Sequence, residues 1–109
     1  MKPEEIKNLP ANEETDILVA RKVLGHVVQQ DSSGEWWEGF TTIAQYSKLI
    51  EYAVNVAMHL HSTKDAFFTL SVKGRQCMAE FEIDTVRYFA FADTIPLAIC
   101  RAALLVSLC

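Results

Sequence analysis

Cysteine is scarce: Cys77, Cys100 and Cys109 are the whole complement, and none stands in a Cys-x-x-Cys spacing. An odd number of scattered thiols makes neither a disulfide framework nor a zinc knuckle, so reduced thiols in a cytosol are expected. Histidine is scarce too, and His59 and His61, two residues apart, point opposite ways on a helix with no third ligand in view. No metal site and no cofactor are predicted. The chain also lacks a Gly-x-Ser-x-Gly elbow, a Gly-rich phosphate loop after a strand, and any His or Asp arranged to activate Cys77. No catalytic residue is assigned, and the chain reads as a non-enzyme.

Positive charge is in deficit. Ten Lys and Arg stand against fourteen Asp and Glu for a net charge of −4, without the basic field that phosphate backbones demand, so no nucleic-acid partner is expected. Long apolar runs are missing as well. The most apolar stretch, Ile95 to Cys109, contains Arg101 and falls short of the roughly 20 apolar residues of a membrane-spanning helix. The first residues, Met1-Lys2-Pro3-Glu4-Glu5, are acidic and carry no secretory pattern. Together these predict a cytoplasmic protein with no membrane partner.

What is present is a chain of 109 residues, half of them hydrophobic, which suits one domain on one core spanning residues 1–109. Asn12 can cap a helix from about Glu13 to Leu24, whose Ile17, Ala20 and Leu24 form an apolar stripe ended by Gly25. From His26 to Gln45 the periodicity lapses, with turn chemistry at Asp31-Ser32-Ser33-Gly34, so this segment is expected to be the longest irregular one. Tyr46, Leu49, Ile50, Ala53, Val54, Ala57 and Leu60 then mark a second amphipathic helix, with Ser47 as its cap. Phe68, Leu70 and Val72 alternate with Phe67, Thr69 and Ser71 in a first strand, and Gly74-Arg75 suits a two-residue hairpin. Cys77, Ala79, Phe81 and Ile83 mark the second strand, Asp84-Thr85 a turn, and Val86 to Ala92 a third. Asp93 or Thr94 caps a last helix with Pro96 in its first turn. The class is α+β: a three-stranded antiparallel meander packed between helices in the order α-α-β-β-β-α, a helix/sheet/helix sandwich. That order partly copies a double-stranded RNA-binding domain, but Asp93-Thr94-Ile95-Pro96 replaces the lysine cluster such a module needs. The open edges of the meander and the high apolar content predict a homo-oligomer.

Long loops carry function more often than core elements do. Trp36, Trp37 and Phe40 beside Glu35 and Glu38 suit a base stacked on a ring and ribose hydroxyls held by a carboxylate. Arg75 at the hairpin tip and Arg87 in the third strand offer planar forks for phosphate or carboxylate. The expected ligand-binding set is therefore Trp36, Trp37, Phe40, Glu38, Arg75 and Arg87. The plainer alternatives are a loop folded back to seal the core and two solvated surface charges. Arg101 interrupts an apolar helix and is expected to pair with an acid such as Glu80 or Glu82, the alternative being that it reaches a ligand.

Leu9-Pro10-Ala11, Leu18-Val19-Ala20-Arg21-Lys22-Val23-Leu24-Gly25, Tyr46-Ser47 and above all Ile95-Pro96-Leu97-Ala98-Ile99-Cys100-Arg101-Ala102-Ala103-Leu104-Leu105 resemble small phage and prophage proteins of the ABA-sandwich family. The sequence departs from them at Gly25-His26, where members tend to have Gly-Trp, and in its middle loop and hairpin. The resemblance implies a three-layer sandwich working in the cytoplasm of a host bacterial cell, and it transfers no catalytic residue. Two functions fit this setting. One is counter-defence by sequestering a nucleotide-derived signalling molecule; the other is docking on a host or phage protein through the Trp-rich loop.

Overall fold

The first helical segment is a short one that the periodicity does not announce. In the computed structural model, which describes residues 1–108, α1 covers Pro3–Lys7 and buries Ile6, with proline in the first turn where a missing N–H leaves no bond unmade. Helix α2 (Glu13–Leu18) starts as the sequence requires, with the Asn12 side chain accepting from Thr15 N–H at 3.0 Å. It then widens into a π-helical turn over Val19–Val23, where Leu24 N–H reaches the Val19 carbonyl at 3.1 Å, before Gly25 ends it at φ +68°.

The segment expected to be irregular is ordered: β1 (Val28–Gln30), β2 (Trp36–Glu38) and β3 (Thr41–Thr42) form a small antiparallel sheet in that order. Val28 stands opposite Glu38, and Trp37 opposite both Gln29 and Thr42. Strands of two or three residues are too short to show an alternation of period two, which is why the sequence reads as a loop. The β1–β2 turn is organised by the Asp31 carboxylate, which accepts from Ser33 N–H, Ser33 Oγ, Glu35 N–H and Trp37 Nε1 at 2.6 to 3.0 Å.

Helix α3 begins later than expected, at Ile50, and runs to Lys64. Ser47 does not cap it. Its hydroxyl and its N–H both go to Asp16, at 2.7 and 2.8 Å, and Leu49 occupies the cap position. All three groups are buried, so this tie across the chain satisfies polar atoms that would otherwise be costly.

The meander is as the alternation predicts: β4 (Phe67–Lys73), β5 (Gln76–Ile83) and β6 (Val86–Ala92) pair antiparallel in that order. Lys73 faces Gln76 across a two-residue turn with Gly74 at φ +61°, and Asp84 and Thr85 make the next turn with positive φ at both positions. One face carries Phe68, Leu70, Val72, Cys77, Ala79, Phe81, Ala90 and Ala92; of these the β5 and β6 residues are buried. Helix α4 (Ile95–Leu108), with Thr94 Oγ accepting from Leu97 N–H, lies on that face over β5 and β6. The unbroken run of buried residues from Pro96 to Cys100 and from Ala102 to Leu105 shows that α4 is covered all round, by the sheet on one side and by α1, α3 and the π turn on the others. The α+β class and the meander thus stand as read, with α4 as the innermost layer and the second face of the sheet, bearing Phe67, Phe89 and Phe91, looking outward. Arg101 is a correction. Its Nε donates to the Leu9 carbonyl at 2.9 Å and its Nη1 to the Phe91 carbonyl at 2.8 Å, so backbone acceptors rather than Glu80 or Glu82 hold it. The expectation of a reduced thiol at Cys109 lies outside the described residues; Cys77 and Cys100 are free and buried.

Candidate functional site

The six residues singled out in the sequence are not brought to one place. Trp36 is half-buried against the core with the Arg21 guanidinium 5.3 Å from its ring centroid. Trp37 is tied by its indole N–H to Asp31, and its ring lines a shallow hollow beside Phe40, which is fully exposed at the β2–β3 turn. Hydrogen bonding by Ser33 first, and then by Trp37, holds the Asp31 carboxyl down at about 2. Arg87 pairs with Glu82 at 3.2 Å on the outer face of the sheet. Arg75 stands at the β4–β5 turn.

Glu38 is the centre of a polar cluster. One carboxylate oxygen accepts from Ala44 N–H at 3.2 Å, and the other accepts from the Tyr46 hydroxyl and meets His26 Nδ1. Burial, reinforced by the Glu38 carboxylate, pushes the Tyr46 phenol well above its ordinary value and keeps it a neutral donor. This cluster closes one wall of a cleft of about 450 Å³ whose opposite wall is the α3 face carrying Tyr52, Asn55 and His59. No spacing in the sequence signalled that these three would face Glu38, which tertiary packing alone brings opposite them. With both oxygens engaged by the protein, Glu38 knits β2 to the segment before α3 and leaves little acceptor capacity for a ligand.

A second cleft, of about 500 Å³, opens where α1, the β4–β5 turn, the end of β6 and α4 meet. Lys7, Lys73, Arg75 and Arg101 line it, together with Gln76 and the exposed ring of Phe91. Four of the ten Lys and Arg of a net acidic chain therefore surround one opening. Among the described residues the ion pairs are His26–Glu38 and Arg87–Glu82, and neither involves these four cations. Asp93 is the single acid on the lining, and its charge partly offsets the desolvation that lowers the Arg101 guanidinium below its ordinary value. Arg101 is fixed by two carbonyls, which orient its fork without neutralising it. Of this lining the sequence pointed to Arg75, and to Arg101 as the alternative to an acid pair. Lys7 and Lys73 are brought together by the fold across most of the chain, and no local spacing encodes that.

The fold places the chain in a class of small α+β sandwich proteins built round one apolar helix. The family model for the phage ABA sandwich domain matches residues 17–104, and the chain belongs to that family. The fold is also that of a phage protein from Bacillus cereus ATCC 14579 known from a crystal structure: it superposes with a TM-score of 0.62 at 25% identity over 99% of this chain and 88% of that one. Comparison with curated proteins yields no match. Among the described residues no helix is long and apolar enough to cross a membrane.

Proposed function

We propose that this chain is a non-enzymatic phage accessory protein that binds a phosphate-bearing, nucleotide-derived molecule in the basic cleft and, by retaining it, counters a defence signal in the host cytoplasm. The observation that carries this reading is the convergence of Lys7, Lys73, Arg75 and Arg101 on one cleft, free of carboxylate ion pairs among the described residues, beside an exposed Phe91 ring. Guanidinium and ammonium donors suit phosphate oxygens, and an aromatic face suits a base. Asp93 and Gln76 supply acceptors for ribose hydroxyls. Membership of a phage family supports the setting.

Calorimetric titration with a cyclic dinucleotide tests the reading. Arg75→Ala is expected to weaken binding about 10- to 100-fold, the loss of one hydrogen bond to a charged group of about 1.5–3 kcal/mol, while the melting temperature stays unchanged because the side chain sits at a turn. The bound compound is expected to come back chemically intact after denaturation; a hydrolysed product would overturn the non-enzymatic reading. No heat with any nucleotide, or equal affinity for inorganic phosphate alone, would overturn the ligand class. A second reading, docking on a host or phage protein through the Trp-rich sheet, is favoured by the full exposure of Phe40 next to Val27, itself 69% exposed.

A further inference from the structure

Every residue of β4 is exposed, including four large apolar ones, Phe67, Phe68, Leu70 and Val72. Sheet edges are normally blunted by proline, bulges, inward charges or shortness. β4 has none of these: it runs seven residues in unbroken register with β5, and its one charge, Lys73, is its last residue. The opposite edge of the sheet is treated differently. There Arg101 donates to the Phe91 carbonyl, and Lys7 of α1 sits 5.5 Å from the Phe89 ring centroid. Helix α4 covers β5 and β6, which leaves the inner face of β4 only partly covered, Val72 being 56% exposed.

The two-residue hairpin decides which backbone groups are free. Lys73 and Gln76 flank the turn and exchange hydrogen bonds, so Lys73, Ser71, Thr69 and Phe67 direct their N–H and C=O to β5. The N–H and C=O groups of Phe68, Leu70 and Val72 then point away from the sheet into solvent, in the alternating pattern of donors and acceptors that another strand matches.

We propose that two copies of this chain pair antiparallel through β4 about a twofold axis at Leu70, joining their meanders into one six-stranded sheet. The strand reads Phe67-Phe68-Thr69-Leu70-Ser71-Val72-Lys73, which is self-complementary about its centre. The twofold sets Leu70 against its own copy, Phe68 against Val72, Thr69 against Ser71, and the Phe67 ring against the stem of Lys73. Apolar pairs meet on the helix side and hydroxyl pairs on the outer side, and all three residues with edge-directed backbone groups face one another, giving about six new hydrogen bonds. A register slip of one residue would oppose apolar to polar side chains along the whole strand. The exposed area points the same way: the chain shows 6624 Å² to solvent, whereas a folded monomer of its mass shows about 6,100 Å².

Light scattering and a symmetric cross-link test this. The wild-type chain is expected to be dimeric at tens of micromolar. Leu70→Lys, which opposes two like charges across the axis, is expected to be monomeric with an unchanged far-ultraviolet spectrum, since the side chain it replaces is already exposed. Facing residues of a hydrogen-bonded pair lie about 5.5 Å apart at Cα, within disulfide range. Leu70→Cys in a Cys109→Ser background is therefore expected to form a covalent dimer on mild oxidation, and this second variant decides the matter if Leu70→Lys fails to fold. A monomeric wild type, a folded Leu70→Lys protein that remains dimeric, or a Leu70→Cys protein that does not cross-link would overturn the proposal.

Discussion

Asp16 and Asp31 show how one residue type is turned to two opposite uses. Burial raises the Asp16 carboxyl above its ordinary value, outweighing the two hydrogen bonds from Ser47 that lower it. The folded chain therefore holds that proton more tightly than the unfolded one, so this contribution favours folding below the ordinary carboxyl value and is lost as pH rises through the raised one. Asp31 runs the other way. Its carboxyl is held down at about 2, so its contribution is present above the ordinary value and lost as pH falls through about 2. Asp16→Asn, which keeps an acceptor for Ser47 and removes the buried charge, is expected to flatten the decline in stability above pH 4 and to leave the acid limb set by Asp31. Asp16→Ala strips the partner from the buried Ser47 N–H and hydroxyl and is expected to cost about 1–3 kcal/mol at neutral pH. Chemical denaturation at pH 3, 5 and 7 checks both substitutions.

Helix α4 is the element on which the others rest. Its sequence is apolar all round rather than amphipathic, and it is packed accordingly, with Ile99, Cys100 and Leu104 fully enclosed. Leu104→Ala is expected to cost about 2–5 kcal/mol, the transfer loss plus the cavity left between sheet and helices, read as a lower denaturation midpoint. Elements of this kind were legible because their patterns are long: α4 by its run of apolar residues, the meander by alternation over seven or eight positions in each strand, and α2 by its Asn12 cap. The small sheet was not, since its strands end before a period can repeat and are held instead by the side-chain bonds of Asp31 and Glu38. The start of α3 was misread for a related reason: Ser47 is a good capping residue locally, and a partner 31 positions away claims it. Tertiary demand overrode local preference there, as it did at Arg101.

At the scale of the whole molecule, the distribution of charge matters more than its sum. A net charge of −4 disfavours binding to a polyanion, yet gathering four cations round one cleft makes a local field that a small anion can use without drawing in nucleic acid. Such a field is screened beyond about 8 Å at physiological salt, so it acts on a ligand within the cleft and little outside it. Any molecule that binds only the folded chain stabilises all of it. At a hundred times its dissociation constant, the nucleotide proposed for the basic cleft should add about 2.7 kcal/mol, which for a domain of this size raises the melting temperature by about 10 °C. The shift is expected to shrink as sodium chloride is raised from 50 to 500 mM and to vanish in Arg75→Ala with Lys73→Ala, while the melting temperature of the free protein changes little because both side chains are exposed. A shift that persists in the double variant would move the ligand to the cleft between Glu38 and α3, whose described lining has no lysine or arginine, so salt should matter less there.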